Sequence, residues 1–132
     1  MSVGTASRTS GKNPNNITPI MIKITRIAPE MPVGNMAEAK AYYHDKLGFE
    51  TVFEMPQGDY VIVERFVAIH LFTASDKRRR VSIHLFVKGI DELHDELRKR
   101  GATIIQAVEK KPWGTQDFRV TDPNGNILKF TG

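Results

Sequence analysis

Four histidines, one tryptophan and no cysteine frame the chemistry open to this chain of 132 residues. Without a thiol there is no disulfide framework, no thiolate metal site and no cysteine nucleophile, so any metal would rest on His, Asp or Glu. His44 and His94 stand in stretches of helical spacing and read as solvated helix residues. His70, in Ile69-His-Leu-Phe72, and His84, in Ile83-His-Leu85, alternate with apolar neighbours, so each points to the strand face opposite those neighbours. A histidine hydrogen-bonded in the wall of a binding surface is the commoner outcome of that pattern, and a metal ligand the rarer one. Trp113 lies between Pro112 and Gly114, a loop setting suited to stacking on a planar ligand or sealing a subunit contact. Ser82 beside His84 does not make a nucleophile and base, and no Gly-x-Ser-x-Gly elbow occurs. Neither Gly-rich phosphate-loop pattern is present. No catalytic residue is assigned.

The elements that must position these residues repeat. Alternation at Ile22, Ile24 and Ile27 predicts a strand running towards Met31 and Val33, held to a sheet edge or interrupted by Pro29 and Pro32. Asn35 with Glu38 three residues on is a helix-start signature, predicting a helix over 36–47 that Gly48 closes. Strands follow over 49–54, 59–65 and 67–73, the first two separated by the turn Pro56-Gln-Gly-Asp59. A strand over 81–88, a helix over 91–100 capped by Asp91 and closed by Gly101, and strands over 103–108, 116–121 and 126–131 repeat the order. Asp122-Pro-Asn-Gly125 joins the last pair as a hairpin. Leu47-Gly48-Phe49 and Arg100-Gly101-Ala102, 53 residues apart, mark a duplicated unit. The fold class is therefore α+β: two tandem βαβββ modules, about 22–74 and 81–132, forming a cupped, mostly antiparallel sheet trough with helices outside.

Composition narrows the function. Apolar residues make up 40% and charged residues 26%, the balance of one soluble globular domain. No apolar run approaches the roughly 18 residues a membrane-spanning helix needs. Residues 1–21 are polar, with no apolar block of a secretory signal, and read as a flexible tail. Arg8 and Lys12 lie in that tail, so of the net charge of +4 only +2 belongs to residues 22–132. The clusters at 77–80 and 98–100 fall in a loop and at a helix end, where a solvated surface or a helix dipole accounts for them better than nucleic acid does.

Three strings carry a resemblance: Tyr43-His-Asp-Lys-Leu-Gly-Phe49, Val87-Lys-Gly-Ile-Asp-Glu-Leu93, and Lys111-Pro-Trp-Gly114 followed by Asp117-Phe-Arg-Val-Thr-Asp-Pro-Asn-Gly125. In this order of elements, from about residue 23 to the end, the chain resembles the glyoxalase, bleomycin resistance protein and extradiol dioxygenase superfamily, also called vicinal oxygen chelate proteins. Its bleomycin resistance branch is the most similar.

Enzymes of that superfamily hold a divalent metal on strands of both modules, at positions matching Ala28, His70, Ser82 and Lys129 here. Only His70 can ligate, so the resemblance implies no metal and no cofactor. In the bleomycin resistance branch the ligand lies where two subunits meet, against aromatic side chains matching Phe53, Tyr60, His84 and Trp113, with His70 in the same wall. The expected function is a metal-free, cytoplasmic, homodimeric binding protein that sequesters a small aromatic ligand of the bleomycin-type antibiotic class, without nucleic-acid or membrane partners. The alternative is a diverged metal-dependent lyase, isomerase or dioxygenase. Proteins of the branch are acidic and bleomycins cationic, whereas this chain is net positive, which makes an uncharged or anionic aromatic ligand equally compatible.

Overall fold

A computed structural model describes residues 22–75 and 79–132. The expected tail, and Lys77 and Arg78 of the basic loop, lie outside these residues. The first half contains β1 (Glu30–Val33), α1 (Met36–Asp45), β2 (Glu50–Glu54), β3 (Tyr60–Arg65) and β4 (Val67–Thr73). The second repeats the order with β5 (Ser82–Phe86), α2 (Ile90–Arg100), β6 (Thr103–Lys110), β7 (Gln116–Thr121) and β8 (Ile127–Thr131). The sheets run β1-β4-β3-β2 and β5-β8-β7-β6. In each, the first-named pair is parallel and the other pairs are antiparallel. This is the predicted α+β architecture of two βαβββ modules. Among the described residues no helix is long and apolar enough to cross a membrane.

Local chemistry sets the helix ends. Asn35 Oδ1 accepts from the backbone N–H of Glu38 at 2.9 Å, capping α1 as expected. The helix stops at Asp45, and Gly48 at φ 77° supplies the left-handed residue that returns the chain to β2. Asp91 is not the cap of α2. That place belongs to Gly89 at φ 78°, which offers no side-chain bond, while Asp91 and Glu92 lie in the first turn, where negative charge still complements the helix dipole. The alternation at Ile22, Ile24 and Ile27 does not make a strand either. These side chains are 90%, 84% and 80% exposed, and β1 begins only at Glu30. Pro32 does sit on an edge strand, where a missing N–H costs no ladder bond.

Alternation then divides the strand faces. Met31, Val33, Val61, Val63, Ile69 and Leu71 are buried on one face of the first sheet, and α1 lies against it with Met36, Ala39 and Tyr43. Leu85, Phe118, Val120, Leu128 and Phe130 do the same in the second sheet, facing Ile90, Leu93 and Leu97 of α2. These side chains form one continuous core across both modules. His94 is half-buried rather than solvated, its ring edge-on to Phe118 at 5.0 Å. Among the described residues no helix lies over the opposite face of each sheet, called the open face below.

Polar contacts lock the modules together. Asp122, 3% exposed, accepts from the Tyr43 hydroxyl at 3.0 Å and from Asn126 Nδ2 at 2.9 Å. Asn126, fully buried, also donates to Pro32 O at 2.8 Å and accepts from Val81 N at 2.9 Å. Farther along the junction, Arg65 forms a two-pronged pair with Glu96 at 2.6 and 2.8 Å and donates to Leu47 O at 2.8 Å. The Asp122-Pro-Asn-Gly125 hairpin is thus both a turn and a keystone.

Candidate functional site on the open sheet faces

The strand registers lay one residue from each strand side by side across each open face. On the first sheet the row is Glu30, His70, Ile62 and Phe53. On the second it is His84, Lys129, Arg119 and Gln106. Cross-strand neighbours in register are close enough for their side chains to act as one surface. A bulge between Thr51 and Phe53 turns Phe53 beside Ile62, and a bulge before Gln106 turns Gln106 beside Arg119.

The first row is aromatic and acidic. The Tyr60 hydroxyl lies 2.8 Å from Glu30 Oε2 and 2.6 Å from His70 Nδ1, with the Tyr60 and His70 rings edge-on at 5.5 Å. A carboxylate only accepts, so the Tyr60 proton goes to Glu30, and the network assigns the imidazole proton to Nδ1 of His70. That leaves His70 Nε2 as a bare acceptor, and it is buried with no partner among the described residues. Burial first, then the bond to Glu30, pushes the Tyr60 hydroxyl above its ordinary pKa. Phe53 is 46% exposed beside this network, and Glu64 adds a second exposed carboxylate to the same face.

The second row is cationic. His84 lies 2.6 Å from Thr131 Oγ1, and its ring tilts against Phe86 at 4.3 Å. Partial burial, then the charge of Lys129, lowers the His84 pKa, and Arg119 adds to this against the opposing pull of Asp117. Asp117 is 2% exposed and accepts from Gln106 Nε2 at 2.6 Å, with Lys111 Nζ at 3.6 Å and Lys129 Nζ at 3.9 Å. Burial alone would raise the Asp117 pKa, but the Gln106 bond and the two ammonium groups together hold it below its ordinary value.

Of the residues singled out from sequence, Phe53, Tyr60 and His70 come together on the first sheet. His84 stands on the second. Trp113 is in the turn between β6 and β7, where Gly114 at φ 100° reverses the chain, and it is 73% exposed. Among the described residues no hydrogen bond, ion pair or ring contact joins the two groups. Glu30, Arg119, Lys129, Gln106 and Phe86 were not read from sequence as binding residues. Period-two alternation along β7 placed Arg119 opposite the apolar Phe118 and Val120, a signal that points to it; Gln106 carries none, because the bulges of β6 break the alternation.

A cleft of about 730 Å³ lies at the module junction and is lined by Asn35, Arg79, Arg80 and the keystone hairpin. A groove of about 500 Å³ borders the second row, lined by Ile27, Phe66, His84 and Phe86. Metal-ligand geometry is not met on either face. The register puts Glu30, not Ala28, beside His70, and His84, not Ser82, beside Lys129. An ammonium at that place repels a divalent cation, and no three His, Asp or Glu side chains converge among the described residues.

Residues 23–130 match the family described as the Glyoxalase/Bleomycin resistance protein/Dioxygenase superfamily. A bleomycin resistance protein of Geobacillus stearothermophilus is 30% identical over 122 residues, covering 77% of this chain and 92% of that protein. Among solved structures, TioX from Micromonospora sp. ML1 superposes with a TM-score of 0.73 at 18% identity, covering 81% of this chain and 97% of TioX. The bleomycin resistance determinant encoded on transposon Tn5 superposes with a TM-score of 0.71 at 22% identity, covering 82% of this chain and 97% of that one.

Proposed function

This chain belongs to the glyoxalase, bleomycin resistance protein and dioxygenase superfamily, and from that premise we propose that it is a homodimeric, cytoplasmic protein that sequesters a bleomycin-type antibiotic without a metal and without covalent chemistry. The observation that carries this reading is the wall formed by Phe53, Tyr60 and His70 on the open face of the first sheet. The Tyr60 and His70 rings are held by a hydrogen-bonded network, and Phe53 on the same face is 46% exposed, as a stacking surface for a flat heterocycle must be. His84 and Trp113 complete the proposed set from the second sheet and its turn.

Local charge supports a cationic drug better than the net charge does. Glu30 and Glu64 place two carboxylates on the first open face although the chain carries +4, with the Arg79 guanidinium over Phe72 at 5.3 Å as the cation beside them. The second open face is positive, so a twofold dimer that set the first sheet of one copy against the second sheet of the other would pair opposite signs and bring Trp113 and His84 towards the partner's wall. Phe53, Phe86 and Trp113, 46%, 75% and 73% exposed, are the apolar surface such pairing would cover. Calorimetric titration with bleomycin, alongside sedimentation of the full chain, tests both parts. Saturable binding of two ligands per dimer, one at each first-sheet wall, is the expected result; a monomer, or no heat at saturating drug, would sink the reading.

A further inference from the structure

The cationic row of the second sheet is left unused by a cationic drug. Arg119 stands between Lys129 and Gln106 in the register, and its Nε is buried without a hydrogen-bond partner. No carboxylate lies within ion-pair distance of its guanidinium among the described residues. The carboxylate of Asp117, in the next row, is occupied by Gln106 at 2.6 Å and leaves Lys129 at 3.9 Å, too far for a closed pair. Lys111 spends its charge on Glu109 at 2.7 Å. A guanidinium and an ammonium, partly stripped of water and short of counter-charge, form a receptor for an oxyanion. Beside them, Phe86 is 75% exposed and backed by the His84 ring at 4.3 Å, and both line the groove of about 500 Å³. Lys129 neighbours His84 across the sheet, and Arg119 lies one strand farther on.

We propose that the open face of the second sheet is a binding subsite for a flat aromatic acid, with Arg119 and Lys129 holding its carboxylate or similar oxyanion and Phe86 and His84 stacking on its ring. The guanidinium fork matches a carboxylate through two parallel N–H bonds, with Nε–H as one prong, which would satisfy the buried nitrogen. Lys129 adds a point charge, and Gln106 holds one oxygen of Asp117 at 2.6 Å. This inference rests on the reading that the open faces take small molecules, but it does not depend on bleomycin being the molecule.

The probe is 2-naphthoate, with 2-naphthamide as the uncharged match, titrated into the full chain by calorimetry and by nitrogen-15 NMR of the arginine Nε–H resonances. The expected result is at least tenfold tighter binding of the acid, weakened by salt, together with a shift of the Arg119 Nε–H signal. Arg119→Gln and Lys129→Gln should each weaken the acid about tenfold and leave the amide unchanged. Lys129→Gln keeps the test valid if Arg119→Gln does not fold, since the Lys129 side chain is 29% exposed. Equal affinity for acid and amide, or an Arg119 signal that does not move, would overturn the subsite. Bleomycin is titrated in parallel. Bleomycin binding without naphthoate binding defeats the subsite and leaves the drug reading standing, whereas the reverse supports the subsite and defeats the drug reading.

Discussion

The Tyr43 hydroxyl donates to Asp122 Oδ2 at 3.0 Å, joining the first helix of one module to the last hairpin of the other. Both groups are buried, and burial first, then the charge and hydrogen bond of Asp122, pushes the Tyr43 hydroxyl well above its ordinary pKa. The phenol therefore stays a donor at any pH the protein meets. Tyr43→Phe leaves Asp122 with Asn126 as its remaining side-chain donor and should cost about 1–2 kcal/mol in urea unfolding. Asn126→Ala strands Pro32 O and Val81 N and removes one of the donors to Asp122, and should cost about 2–4 kcal/mol. If both variants unfold with the wild type, the keystone has no energetic role.

The Arg65 and Glu96 pair predicts an acid-sensitive junction. The Arg65 hydrogen bonds, opposed by partial burial and helped by Arg100, hold the Glu96 carboxyl down from 4.5 to about 2. A folded-state pKa below the unfolded one gives stability that is present above about 4.5 and lost as pH falls towards about 2. The Glu96 side chain is 37% exposed, so solvent screening reduces the pair to about 1 kcal/mol. Urea midpoints of wild type and Glu96→Gln should differ at neutral pH and converge near pH 2.5. Parallel profiles across that window would rule the pair out as a source of acid lability.

Tyr60→Phe removes the hydroxyl that links Glu30 to His70 but keeps the ring. Bleomycin affinity should fall about threefold to tenfold, because the wall loses orientation rather than area. Phe53→Ala removes half-exposed ring surface instead and should weaken binding by about 0.5–1.5 kcal/mol. Calorimetry on both variants checks this, with circular dichroism as the folding control. Unchanged affinity in both would remove the first sheet from the site.

Trp113→Ala should shift stability by less than about 0.5 kcal/mol, since the indole is 73% exposed. In dilute monomer its fluorescence should be quenched readily by iodide, and protection should appear with dimerisation or ligand. An indole shielded in the dilute, ligand-free chain would contradict the geometry of its turn.

Turn and cap chemistry carried most of the fold into the sequence. Gly48, Gly101 and Asp122-Pro-Asn-Gly125 marked where each module turns, and the strands at 67–73 and 116–121 were readable to the residue from alternation. The keystone was not, because a buried Asp and Asn in a hairpin have the same composition as an exposed turn; only their partners from the other module distinguish them. The proposed site was half legible for a related reason. Phe53, Tyr60 and His70 belong to nearby strands, but the partnership of His84 with Lys129 and Arg119 depends on registers between distant segments. The Gly89 cap and the unpaired Ile22, Ile24 and Ile27 were missed because local pattern was read where tertiary context decides.

Each open face is built on the same strands that supply the core, using the alternate positions. Met31, Val63 and Phe118 point inward from the same backbone that points Glu30, Ile62 and Arg119 outward. Exchange of side chains across one face can thus retune recognition without altering the packed interior. The two faces of the repeated scaffold already differ, the first carrying carboxylates and aromatic rings, the second a cationic row. In evolutionary terms, specificity here can vary at little risk to foldability.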